Sequence, residues 1–202
     1  MSADTERFWQ LIRRYEEHPA EREGILQEVG ERFQKPVAIL VVDTCGFTRS
    51  VREQGIVPFL VLLERLERVV NPLVERCGGR LFPRAADNFF AIFDGPRQAL
   101  DCGALILRGV AALNEGLPLP ERMAVSIGVG YGEVLVVGPD LLYGDEMNLV
   151  CKIGEDLADD QELLLTPAAA SALGDELGEA EERHFFISGV EIVAYRPDGI
   201  LG

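Results

Sequence analysis

Two aspartates standing where strands meet turns are the residues of this sequence best placed to do chemistry. Asp43 ends the apolar run Val37–Val42, and Asp87 closes the linker Pro83-Arg84-Ala85-Ala86-Asp87 between two short predicted strands, near 80–82 and 88–93. A hairpin there lies beside the Asp43 strand and brings the two carboxylates together. Like charges so placed repel unless cations sit between them. The natural occupants are a pair of Mg²⁺ ions, which would also hold a triphosphate for in-line displacement. Directly after Asp43, Gly46-Phe47-Thr48 precedes a predicted helix, and amides exposed at a helix start bind phosphate oxygens. Alone, Asp43 reads as a turn or capping residue and Asp87 as a hairpin residue; in this order, together, they read as a metal site.

The elements that must position these acids follow from periodicity. Val37-Ala38-Ile39-Leu40-Val41-Val42 is a β-branched run, the pattern of a strand buried on both faces. A short helix with Ser50 and Glu53 at capping-box spacing follows, stopped by Gly55. Ile56, Phe59, Leu60, Leu63, Leu66, Val70, Leu73, Val74 and Cys77 then mark one face of a long helix, bent at Pro72 and ended by Gly78-Gly79. Ala99, Cys102, Ile106, Val110 and Leu113 mark another. Met123 to Tyr131 alternates as a strand, Gly132-Glu133 is expected to turn it into a second strand over Val134–Val137, and Gly128, Gly130 and Gly132 permit close packing. A helix is expected from near Gly144 to about Leu157, with Glu155 and Asp156 at a solvated end. Leu163–Leu165 is a strand, Thr166-Pro167 starts a helix, and two strands flank Ser188-Gly189. Residues 1–35 predict one or two amphipathic helices broken near His18-Pro19. The expected division is a helical segment over 1–35, a catalytic domain over 36–197 and a tail over 198–202. The fold class is α+β, with helices packed against a mixed sheet.

Composition narrows the partners. In 202 residues, 34 Asp and Glu stand against 19 Lys and Arg, a formal charge of −15. Such a surface repels phosphate backbones and anionic lipid, which argues against nucleic-acid or membrane-surface binding. No apolar run approaches the ~20 residues of a bilayer span, and residues 1–14 lack the apolar stretch of a signal peptide. The four cysteines form no CxxC, and the two histidines lie far apart. Buried thiols in a cytoplasmic protein are therefore expected, rather than a zinc site.

Read in order, Asp43-Thr44-Cys45-Gly46-Phe47-Thr48, Gly78-Gly79, Ala86-Asp87 before Phe89–Phe93, Ser126-Ile127-Gly128-Val129-Gly130-Tyr131-Gly132 and Tyr143-Gly144-Asp145-Glu146-Met147-Asn148-Leu149 resemble the class III adenylate/guanylate cyclase catalytic domain. The resemblance covers roughly residues 36–196. It implies a ferredoxin-like βαββαβ core and a head-to-tail homodimer with active sites at the subunit interface. One subunit would supply Asp43 and Asp87 for two Mg²⁺ or Mn²⁺ ions, with the Thr44 carbonyl nearby and the Gly46, Phe47 and Thr48 amides on the phosphates. The other would supply Asn148, which orients the ribose, and Lys152, where the family has an Arg stabilising charge on the α-phosphate. The 3′-hydroxyl attacks that phosphorus and pyrophosphate leaves. ATP is the implied default substrate.

The chain departs from that pattern in its base-reading half. The family's adenine-reading Lys falls at Pro83 and its acidic partner at Leu141; Arg84 and Asp140 are the direct neighbours that a one-residue shift would bring into play. Lys152 keeps the positive charge of an Arg but loses its planar fork. Three readings stand: a cyclase, a cyclase-homology module with little turnover that binds nucleotide, metal or a partner, or a purely structural dimerisation domain.

Overall fold

The computed structural model describes residues 2–46, 51–53, 55–187 and 189–200. Two N-terminal helices, α1 (Ala3–Glu17) and α2 (Arg22–Phe33), lead directly into strand β1 (Gln34–Thr44). Ser2 caps α1, its hydroxyl accepting from the Thr5 amide at 3.1 Å. There follow α3 (Ile56–Arg76), β2 (Arg80–Leu81), β3 (Phe89–Phe93), α4 (Pro96–Asn114), β4 (Val125–Val137), β5 (Leu141–Tyr143), α5 (Asp145–Lys152), β6 (Leu163–Leu165), α6 (Pro167–Leu173), β7 (Ala180–Ile187) and β8 (Val190–Pro197). The strands form one mixed sheet in the order β2-β3-β1-β4-β6-β8-β7, with β5 paired to β4. The β4–β6 pairing is parallel and the others antiparallel.

The β-branched run of β1 is buried on both faces because each face has its own cover. Even-numbered Ala38, Leu40 and Val42 pack against α3 and α4 through Leu63, Leu66, Val70, Cys102 and Ile106. Odd-numbered Val37, Ile39 and Val41 pack with Val150 of α5 and with Val134 and Val136. Alternation along the strand puts Asp43 on this second face. Helices α1 and α2 cover the far end of the sheet: Phe8, Leu11, Ile25, Val29 and Phe33 bury Val137 and pack on Leu135 and Leu141.

The long strand β4 departs from the sequence pattern. Gly132-Glu133 does not turn; β4 runs unbroken from Val125 to Val137 and pairs with β1 along eleven positions, from Thr44–Val125 to Gln34–Leu135. Gly132 is there because Glu146 of α5 crosses directly over it: an added Cβ would lie 3.3 Å from the Glu146 side chain. Gly128 is tighter still, its Cβ position 2.5 Å from the Val150 carbonyl and 3.0 Å from the Gly154 amide. These glycines bring α5 close onto the sheet, as their spacing suggests. The short helix expected after Asp43 falls largely outside the described residues, except for helical 51–53.

Candidate functional site

Asp43 and Asp87 meet at one end of the sheet. Asp43 pairs with Ser126 near the end of β1, and Asp87 occupies the turn between β2 and β3. That turn is closed by the Asn88 amide donating to the Ala85 carbonyl at 3.0 Å and the Ala85 amide donating back to the Asn88 carbonyl at 3.3 Å. Ala86 sits in the left-handed region at φ +54°, a conformation that a Cβ disfavours. The Thr44 hydroxyl donates to an Asp87 oxygen, so the end of β1 holds the hairpin acid. Partial burial, then the Asp87 charge, then that of Glu155 push the Asp43 carboxyl up to about 7. The two acids therefore act on each other.

The donor set fits a small divalent cation. Carboxylate oxygens that repel one another in a partly desolvated site are relieved by a hard cation, and Mg²⁺ is typically held by one or two carboxylates plus substrate phosphates. Among the described residues no group of three or more His, Cys, Asp or Glu side chains closes into a metal cage.

Asn148 and Lys152 both stand on α5. Helix α5 starts at Gly144 and runs back along β4 toward the Asp43 end, burying Val150 and packing Glu146 over Gly130 and Gly132. Asn148 is exposed and Lys152 half-buried, one turn apart, and the Lys152 ammonium is ion-paired with Asp156. Arg84 is exposed at the hairpin, over the Phe89 ring at 5.7 Å and 4.0 Å from the Glu67 carboxylate. Asp140 is exposed at the β4–β5 turn, at the far end of the strands that carry Asp43, about 30 Å along β1. Leu141 is occupied in packing on the N-terminal helices. Gly46 adopts φ +81° just beyond Thr44; Phe47 and Thr48 lie outside the described residues.

Three residues escape a reading by pattern alone. Glu146 anchors α5, accepting from the Tyr131 amide at 2.9 Å and from the Thr166 hydroxyl that caps α6. Asn88 and Glu155 are hydrogen-bonded to each other at 2.8 Å. The only sequence signal for the latter pair is Gly154, a glycine without a turn to make. Its Cβ position would be 2.9 Å from the Gly128 amide nitrogen, so it lets the residue beside it approach the strand.

Known proteins are similar to this chain in sequence or in fold. The chain is 33% identical over 122 residues to "Putative adenylate cyclase 3" of Rhizobium meliloti, 60% of this chain but 20% of that protein's length. Among solved structures it is similar to the guanylyl cyclase Cya2, with a TM-score of 0.73, 20% identity, and 82% of this chain and 93% of that one covered. The adenylate/guanylate cyclase/hydrolase of Silicibacter pomeroyi superimposes with a TM-score of 0.69 and 19% identity over 81% and 96% of the two chains. The fold is that of a class III nucleotidyl cyclase domain. In this cyclase fold the strand-end acid and the hairpin acid are adjacent in one chain, while Asn148 faces outward from α5. No family model matches the chain. Among the described residues no helix is long and apolar enough to cross a membrane.

Proposed function

We propose that the chain is a nucleotidyl cyclase domain that converts a nucleoside triphosphate, ATP by default, to a 3′,5′-cyclic nucleotide and pyrophosphate as a metal-dependent homodimer. The observation that carries this reading is the convergence of Asp43 and Asp87 at the end of β1, with the Asp43 carboxyl pushed up by burial and by its neighbour. Cyclase cores of similar fold, one in complex with ATPalphaS and one with GTP, support a nucleotide as the ligand. Asp43, Asp87 and the Thr44 carbonyl would hold two Mg²⁺ or Mn²⁺ ions, which when bound neutralise triphosphate charge and favour ionisation of the attacking hydroxyl. The amides of Gly46, Phe47 and Thr48 would bind phosphate oxygens. Asn148 of a second copy would orient the ribose, and its Lys152 would face the charge that develops on the α-phosphate. The exposure of Asn148 on α5 leaves it accessible to a second copy, which supports that sharing of the site. Pro83 and Leu141 leave the base edge without the family's polar pair, which favours relaxed base selection, with Arg84 and Asp140 as the polar groups nearest in sequence.

The test is incubation of purified protein with each of the four common nucleoside triphosphates and Mn²⁺, assaying cyclic product and pyrophosphate. Product that vanishes in Asp43→Ala is the expected result. A folded dimer giving no product from any of them leaves the regulatory-module reading, which the substitution of Lys for Arg at position 152 favours.

A further inference from the structure

The carboxylate of Glu155 belongs with the two acids. It follows α5 in a π-helical turn, Ile153–Leu157, a distortion often found at functional positions. Gly154 pins this turn against Gly128, the residue paired with Val41 two positions before Asp43. From there Glu155 accepts a hydrogen bond from the Asn88 side-chain amide, and Asn88 directly follows Asp87 in the closed hairpin turn. The other half of the Asn88 amide, Oδ1, is buried without a hydrogen-bond partner.

Charge sets Glu155 apart from its neighbour. Asp156 is paired with Lys152, whereas among the described residues no Lys, Arg or His lies within ion-pairing distance of Glu155. Its charge and that of Asp87 act on each other, and both act on Asp43. Asp156, with Lys152 paired to it, also acts on Asp43 and Glu155, so four carboxylates share one end of the sheet and the one ammonium among them is paired with Asp156 rather than Glu155. Among the described residues Glu155 does not join the two aspartates in a cage of direct ligands.

We propose that Glu155, held by Asn88, is a positioning and affinity-setting residue of the cation site, acting on the bound divalent ion through water rather than by direct ligation. This rests on the reading that Asp43 and Asp87 hold the cation. Such outer partners are typically worth about 10–100-fold in metal affinity. It also gives the π turn a role, since a regular helix end would carry residue 155 along a different path.

The test is Mn²⁺ binding to the full chain at pH 8 without nucleotide, followed by the electron paramagnetic resonance of free Mn²⁺. Glu155→Gln keeps an oxygen for the Asn88 amide and removes only the charge. About tenfold weaker Mn²⁺ binding at unchanged melting temperature is the expected result. Asn88→Ala keeps the charge but frees it, and should weaken binding less than Glu155→Gln does. Glu155→Gln binding Mn²⁺ as tightly as the unaltered chain overturns the proposal while leaving the aspartate site standing. Asp43→Asn binding Mn²⁺ as tightly as the unaltered chain, or no binding by the unaltered chain, overturns both readings.

Discussion

The Thr44 hydroxyl donates a hydrogen bond to the Asp87 carboxylate, joining the last residue of β1 to the hairpin acid 43 positions later. Thr44 is buried, so the bond forms where water competes poorly, and hydrogen bonds to charged groups contribute about 1.5–3 kcal/mol. Thr44→Val keeps the shape and removes the donor. Mn²⁺ affinity should fall by about tenfold or more, and Thr44→Ser should restore most of it. Calorimetric titration of Mn²⁺ decides the matter; a Val variant that binds normally would show that Asp87 is positioned by its turn alone.

The Asp43 carboxyl makes stability depend on pH. Its folded value is pushed up from 3.8 to about 7 by burial, by Asp87 and by Glu155. The folded state therefore prefers the protonated form. The stability this preference contributes is fully present below about pH 3.8 and is lost as pH rises through about 7. Solvent screening at a half-buried group leaves about 1 kcal/mol of the effect. Asp43→Asn should accordingly melt about 2–4 °C above the unaltered chain at pH 8 without divalent ions. The gap should close at pH 4, and Mn²⁺ should raise the melting point of the unaltered chain alone. Thermal melts at the two pH values test this, and an Asn variant that melts lower at pH 8 would refute it.

Ala86 holds the turn that presents Asp87 at a positive φ of +54°. An L-residue with a Cβ pays about 1–2 kcal/mol there, while glycine gives back roughly 0.5–1 kcal/mol in unfolded-chain entropy. Ala86→Gly should therefore stabilise the protein by about 0.5–1 kcal/mol and leave Mn²⁺ binding within twofold. Urea unfolding with unchanged slope reads the first quantity. A destabilised variant would mean that the alanine methyl makes contacts that outweigh the backbone strain.

Much of this was legible because local signals and burial agreed. Val37–Val42 announced a central strand, the glycine spacing of Gly128, Gly130 and Gly132 announced close packing, and Thr166-Pro167 announced the start of α6, whose cap bond runs from the Ala169 amide to the Thr166 hydroxyl. The Gly132-Glu133 turn was misread because a glycine that admits a crossing helix and a glycine that makes a turn look alike in one dimension. The meeting of Asn88 with Glu155 was invisible for a different reason. It joins residues 67 positions apart through a π turn, and no periodicity encodes such a turn. Leu141, unexplained as a base-reading position, became intelligible once the N-terminal helices were seen packing on it.

The shared site makes a sharper demand than activity alone. If Asp43 serves its own chain's site and Asn148 serves its partner's, Asp43→Ala and Asn148→Ala should each abolish turnover as pure dimers. Mixed as unfolded chains and refolded together at equal amounts, half the dimers carry both variants. By two-fold symmetry each mixed dimer has one site with both lesions and one site intact. Activity should therefore recover to about one quarter of the unaltered level. Asn148 is exposed on α5, so its truncation leaves the fold undisturbed, which equal melting temperatures would verify. Failure to recover in a mixture shown by native mass spectrometry to contain mixed dimers would place Asn148 and Asp43 in the same chain's site, and the arrangement across two subunits would have to be abandoned.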